Sequence, residues 1–176
     1  MGWTFDDRIE LNRGTLAGPE VDDATVARRL VACARLGSLA TVALRPAGYP
    51  YASLVAMAAG DDGTPILLLS GLAEHAKNLA VCAKASLLVT EPNVDDIVAA
   101  PRVTIAGECT RLAANTAAFD DARARYLAVH PEAADWFADH LHSYALYLLE
   151  PVDLRVIVGF GRLSWVEPAD FRRATP

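Results

Sequence analysis

The chain has 176 residues, 53% of them hydrophobic but only 7% aromatic, and a formal net charge of −6. That length makes one domain with room for a proper core. The acidic balance argues against binding to nucleic acid or to an anionic membrane, which need a basic surface, and no apolar run approaches the roughly 20 residues that span a bilayer.

Residues 1–20, with Gly14, Gly18 and Pro19, read as an irregular N-terminal arm. The start lacks the basic-then-apolar order of a signal peptide, and Asp6 stands where a myristoylation site wants Ser or Thr. A first helix follows Asp22-Asp23, with Val26, Leu30 and Cys33 as its apolar stripe, Arg28, Arg29 and Arg35 facing elsewhere, and Gly37 closing it. Residues 38–44 and 51–58 read as hairpin strands around Pro46-Ala-Gly-Tyr-Pro50. The turn Gly60-Asp-Asp-Gly63 leads to a third strand over 65–70. A helix carrying His75 then runs to about Cys82, and 86–90 forms a fourth strand.

After a loop over 91–101, residues 102–112 read as a fifth strand, where Gly107 marks a bulge or a close backbone approach. Two helices follow. The first is capped near Asn115 and can pair Asp121 with Arg125; the second begins at Pro131, a first-turn position. The last two strands alternate: Tyr144, Leu146 and Leu148 share one face, and Val152, Leu154, Val156, Val158 and Phe160 another. The division is therefore an arm over 1–20, one domain over 21–166, and a polar, mobile tail over 167–176. Six or more antiparallel strands at short spacing with flanking helices give an α+β fold built on a small closed or partly open barrel.

Cys33, Cys82 and Cys109 are odd in number, scattered, and without metal-ligand spacing, so buried free thiols in a reducing cytoplasm are expected. His130, His140 and His142 have no accompanying Cys or carboxylate cluster and read as surface histidines, with no metal site. The segment Leu68-Leu-Leu-Ser-Gly-Leu-Ala-Glu-His-Ala-Lys-Asn-Leu79 carries the strongest functional signal. A strand that ends in Ser70-Gly71 and delivers the chain onto a helix makes an anion site, because free N–H groups and the macrodipole meet there. Ser70 adds a hydroxyl, and His75 and Lys77 add positive charge; the expected ligand is a phosphate.

The order Leu39-Ala-Thr-Val, Pro50-Tyr-Ala-Ser-Leu-Val, Leu69-Ser-Gly-Leu-Ala-Glu-His-Ala-Lys-Asn-Leu and Ala85-Ser-Leu-Leu-Val resembles the pyridoxamine-5'-phosphate-oxidase-like, FMN-binding split-barrel proteins. Pro101-Arg-Val-Thr-Ile-Ala-Gly107 and Val158-Gly-Phe-Gly-Arg-Leu-Ser-Trp165 narrow the resemblance to the heme-utilisation branch. It covers residues 25–166 and implies a homodimeric split barrel with FMN at the subunit interface. By that resemblance Ala52, Ser53 and Leu54 would edge the flavin ring through backbone groups. Ser70, His75, Lys77 and Asn78 would hold the ribityl phosphate, and Arg162 and Trp165 would complete the pocket from the partner. Arg45 is a further phosphate candidate. Ser53 also reads as a plain strand residue, Asn78 as an ordinary helix residue, and Trp165 as an apolar plug on the barrel end.

Two departures bear on function. Trp165 is followed by Val-Glu-Pro-Ala-Asp-Phe, not by the arginines that shape the vitamin B6 oxidase site. No histidine follows His142, whereas heme-degrading members ligate iron from a C-terminal histidine, and the extra C-terminal domain of many such members is not expected here. The expected function is a flavin-dependent oxidoreductase on a small substrate, the flavin N5 accepting a hydride and no side chain serving as a dedicated acid or base. The alternatives are a heme-binding or heme-utilisation protein, with His75 or His130 as iron donor, and a non-catalytic binder of flavin or of the deazaflavin F420.

Overall fold

A computed structural model of the chain describes residues 20–92, 94, 100–138, 143–159 and 161–176. Nearly all of the N-terminal arm, most of the 91–101 loop, Phe160, His140 and His142 lie outside the described residues.

Helix α1 (Asp23–Cys33) begins where the Asp22 side chain accepts the Thr25 N–H at 2.9 Å, an N-cap that satisfies one orphan amide of the first turn. Val26, Ala27, Leu30 and Val31 are fully buried and line the barrel core. Arg28 does not face solvent as the helical pattern predicts: it is 4% exposed. Its Nε donates to Ala174 O at 3.0 Å, its Nη2 donates to Asp61 O at 2.5 Å, and the guanidinium lies 5.4 Å from the Phe171 ring centroid. Two backbone carbonyls and an aromatic face replace part of the water it gives up, while Nη1 is buried without a hydrogen-bond partner among the described residues. Gly37 does not close the helix, which ends at Ala34, but lies within β1.

Seven strands form one antiparallel sheet: β1 (Leu36–Val42), β2 (Pro50–Ala59), β3 (Pro65–Leu69), β4 (Lys84–Thr90), β5 (Arg102–Arg111), β6 (Ala145–Ile157) and β7 (Leu163–Val166). Their order is β3-β2-β1-β4-β5-β6-β7, and β3 also pairs with β6. That extra pairing closes six strands into a barrel and leaves β7 beside it. The 13 residues of β6 make this possible, because Ala145–Leu148 pair with β3 and Leu154–Ile157 pair with β7.

The sequence pattern predicts two strands where β6 is one. Its irregularity is a bulge: Ala106 faces Asp153 while Gly107 faces Pro151, so Val152 has no counterpart on β5. Val152 is thereby exposed, and the side-chain alternation slips by one between Leu149 and Leu154. Pro151 is tolerated at this break. A Cβ at Gly107 would sit 2.1 Å from Glu150 O, so both expectations for Gly107 are met in one place.

Two apolar cores result. The inner one fills the barrel with Leu39, Val55, Met57, Leu67, Leu87, Ile105, Leu149 and Leu154 beneath α1. The outer one packs α3 (Ala117–Val129) and the following 3-10 helix (Pro131–Ala138) onto Ile66, Leu68 and Leu146 through Tyr126, Val129 and Ala133. Strand β3 is buried on both faces, which is why Pro65–Leu69 reads as an unbroken apolar run. The expected polar tail is in part a helix, α4 (Pro168–Arg173), with Pro168 in its first turn and Phe171 fully buried against the inner core. One aromatic side chain in an otherwise charged stretch is enough to dock it. Among the described residues no helix is long and apolar enough to cross a membrane.

Candidate functional site

Strand β3 delivers the chain through residues 70–73 into α2 (Glu74–Val81), the arrangement the motif predicts. Ala73 at the N-cap offers no side-chain acceptor, so the helix start lacks a cap of its own. Glu74 in the first turn brings a negative charge to that end, and Lys77 Nζ donates to Glu74 Oε1 at 2.6 Å. Ser70 Oγ accepts the Leu72 N–H at 3.3 Å.

Asn78 is 1% exposed. Its Oδ1 accepts the Leu44 N–H and its Nδ2 donates to Thr41 Oγ1, both at 3.0 Å, so the side chain pins α2 to the end of β1.

His75 and Ser53, named from separate segments, are brought together: His75 Nδ1 lies 3.0 Å from Ser53 Oγ. Half-burial lowers the His75 pKa, because the low-dielectric surroundings disfavour the imidazolium, so the ring is neutral at neutral pH. Each of the four residues expected to hold a phosphate thus has a protein partner in the folded chain.

Ala52 and Leu54 stand on the other face of β2, outside the barrel, where both are exposed. The pairing register continues that face as a row across six strands: Leu54, Ser38, Leu88, Thr104, Arg155 and Trp165. At about 4.8 Å per strand, the two ends of the row are roughly 24 Å apart along the curved surface. Leu54 and Trp165 therefore do not meet within one chain. Trp165 is 65% exposed and Leu54 69% exposed. Arg155, which sequence reasoning did not single out, carries its guanidinium 5.1 Å from the Trp165 ring centroid. The signal for it lay in the register of β7, a strand the pattern did not predict. Arg162 turns to α1, bonding to Val21 O and pairing with Asp23 at 2.6 Å.

His130 is not a surface residue. It is 4% exposed, with Nε2 2.9 Å from Met57 O and Nδ1 3.2 Å from Glu132 Oε1. The three cysteines are free, and burial pushes the Cys109 thiol up to about 12. Among the described residues no three His, Cys, Asp or Glu side chains gather as they would around a metal ion.

The family model described as CREG, beta-barrel matches residues 19–173. The chain belongs to this family. A curated relative, the non-canonical heme oxygenase HOZ of Arabidopsis thaliana chloroplasts, is 33% identical over 123 residues, which is 70% of this chain and 36% of the plant protein. The structure of a heme binding protein from Mycobacterium smegmatis superposes with a TM-score of 0.79 at 29% identity, covering 89% of this chain and 62% of that one. The chain thus spans about a third of the plant protein and just under two thirds of the mycobacterial one. A pyridoxamine 5'-phosphate oxidase-type protein from Listeria innocua, at 13% identity and a TM-score of 0.55, shares the fold. The split barrel and the resemblance to the oxidase-like and heme-utilisation proteins therefore hold for this member of the family.

Proposed function

We propose that this protein binds heme, as a homodimer whose subunits meet through the outer face of the barrel. The observation that carries the reading is the row from Leu54 to Trp165, taken with the two heme-related relatives at 29% and 33% identity. Exposed leucines and a tryptophan among Ala40, Ala52, Ser86 and Ala106 make a broad, low, apolar surface. Surfaces of that kind mark interaction sites. A planar macrocycle fits between two of them, and Arg155 on Trp165 supplies a cation for its carboxylates.

The roughly 24 Å between the row's ends, which one chain cannot bridge, closes if a partner's Trp165 faces Leu54 across a twofold axis. Heme, when bound, supplies a redox-active iron; the chain supplies apolar walls, a charge partner and shelter from water. Free cysteines fit a reducing compartment such as the cytoplasm.

A Leu54→Arg variant tests this. It should sediment as a monomer and lose the absorbance of bound heme, with its far-UV spectrum unchanged. A dimer that still takes up hemin would overturn the interface.

A second reading is an FMN binder, favoured by the start of α2, where Ala73 leaves the first-turn amides without a side-chain cap. Phosphate there would have to draw Lys77 from Glu74 and draw on the Ser70 hydroxyl. The same site would serve F420. Quenching of FMN fluorescence that is lost in Lys77→Ala would establish this reading over heme.

A further inference from the structure

We infer that His130 is a proton-operated latch. Protonated, its ring joins the 3-10 helix (Pro131–Ala138) to strand β2; neutral, it must release Glu132. The device is independent of which cofactor the protein binds.

Each ring nitrogen of His130 lies against an atom that can only accept. Nε2 is 2.9 Å from Met57 O, and Nδ1 is 3.2 Å from Glu132 Oε1. A backbone carbonyl has no proton to give, and neither has an ionised carboxylate. The Glu132 carboxyl is held below the usual carboxylate range by its own backbone amide first, then by His130 and Arg35, so it is ionised at neutral pH. A neutral imidazole has one N–H and satisfies one of the two contacts. The imidazolium has two and satisfies both.

The place of the ring in the chain favours the cation as well. His130 is the C-cap of α3, its own N–H bonding to Tyr126 O, and the negative end of the helix dipole lies there. Burial at 4% exposure opposes the charge, so protonation and the paired contacts stand or fall together.

The neighbouring groups leave the control to this one ring. Arg35, from the link between α1 and β1, lies 3.7 Å from the same Glu132 oxygen and shares that carboxylate. Tyr126 of α3 lies with its ring centroid 4.8 Å away, and burial raises its pKa, so it stays neutral where histidine titrates. Tyr144, just before β6, stacks on Trp136 at 5.6 Å. Strands β2 and β3 carry no charged side chain.

When the proton leaves, the two contacts are not equally dispensable. Met57 is fully buried and its carbonyl cannot turn to water, so Nε2 keeps the remaining N–H. Nδ1 then turns a lone pair on the Glu132 carboxylate, which is 54% exposed and free to swing out to water. Glu132 is the second residue of the 3-10 helix, so its release loosens the start of that helix, while the fully buried Ala133 keeps the helix on the outer core. The latch is therefore closed while the ring is protonated and opens as pH rises through its titration.

The test combines ring-nitrogen NMR of the histidines with amide hydrogen exchange, on wild type, Glu132→Gln and His130→Gln, between about pH 5 and 8. In wild type both His130 nitrogens should carry protons at the acid end and Nε2 alone at the alkaline end. Protection of the amides of residues 133–138, corrected for the intrinsic pH dependence of exchange, should fall by roughly 3- to 10-fold over the same range, the worth of one hydrogen bond. In Glu132→Gln the side-chain amide can donate to the Nδ1 lone pair, so protection should no longer follow the ring. His130→Gln keeps a donor for Met57 O but cannot titrate; it assigns the His130 signals and should show flat protection.

A wild-type ring that does not change protonation across this range would overturn the latch. So would protection that stays constant in wild type, or a pH dependence that persists in either variant.

Discussion

Replacing Asn78 by alanine separates a structural pin from a ligand contact. The Asn78 side chain joins α2 to β1 through two hydrogen bonds of 3.0 Å, to Leu44 N–H and to Thr41 Oγ1. Each is worth about 1 kcal/mol net, and a buried group left without a partner costs about 1–3 kcal/mol more. Leu44 is at the surface, so its amide can turn to water; Thr41 is 3% exposed, so its hydroxyl cannot. The Thr41 hydroxyl keeps its 3.5 Å hydrogen bond to Tyr51 O, so only the low end of that penalty applies and the sum is a loss of about 2–3 kcal/mol, or a fall in Tm of roughly 4–12 °C for a domain of this size. Urea unfolding of the ligand-free protein, followed by circular dichroism, reads it directly. Thr41→Val removes the same bond from the other side, so the double variant should cost less than the two single changes together. A loss below about 0.5 kcal/mol, the level of an unremarkable surface substitution, would refute the pin and return Asn78 to the ligand.

Phe171→Ala should destabilise by about 3–5 kcal/mol in the same assay, because a fully buried ring anchors α4; a loss under about 1 kcal/mol would mean that the C-terminal helix is not docked. Asp22→Ala should cost about 1 kcal/mol at neutral pH. The Asp22 pKa is lowered in the fold by the Thr25 amide and hydroxyl. Its stabilisation is therefore present above the unfolded carboxylate pKa near 3.8 and lost as pH falls through the lower folded value, so wild type and variant should converge in acid. Cys109, buried and with its thiol raised to about 12, should react with a thiol reagent only after Cys33 and Cys82, and at a rate that rises on unfolding; early labelling would place it at the surface.

Much of the barrel was legible from strand patterning, since hairpin turns and alternation mark β1 to β5 within a few residues. What escaped was tertiary in origin. Arg28 looks like a solvent-facing arginine along α1, and only the approach of the 60–63 turn and of Ala174 gives its guanidinium partners. The bulge at Val152 changes which residues share a face, and a period-2 reading carried past it joins Val152 to Leu154 wrongly. Strand β7 has four residues and forms because β6 offers it an edge, so local propensity does not announce it.

At the site, the α2 motif was legible as strand, turn and helix. The contact between Ser53 and His75 was not, because it depends on the angle at which α2 crosses β2. The same holds for Arg155, whose place over Trp165 is set by the β6–β7 register.

Side-by-side titration of the purified protein with hemin and with FMN bears most directly on the account. Heme binding predicts a Soret band that saturates at one heme per subunit, with FMN fluorescence unquenched. Stoichiometric quenching of FMN with no Soret band would contradict it and make the start of α2 a phosphate site.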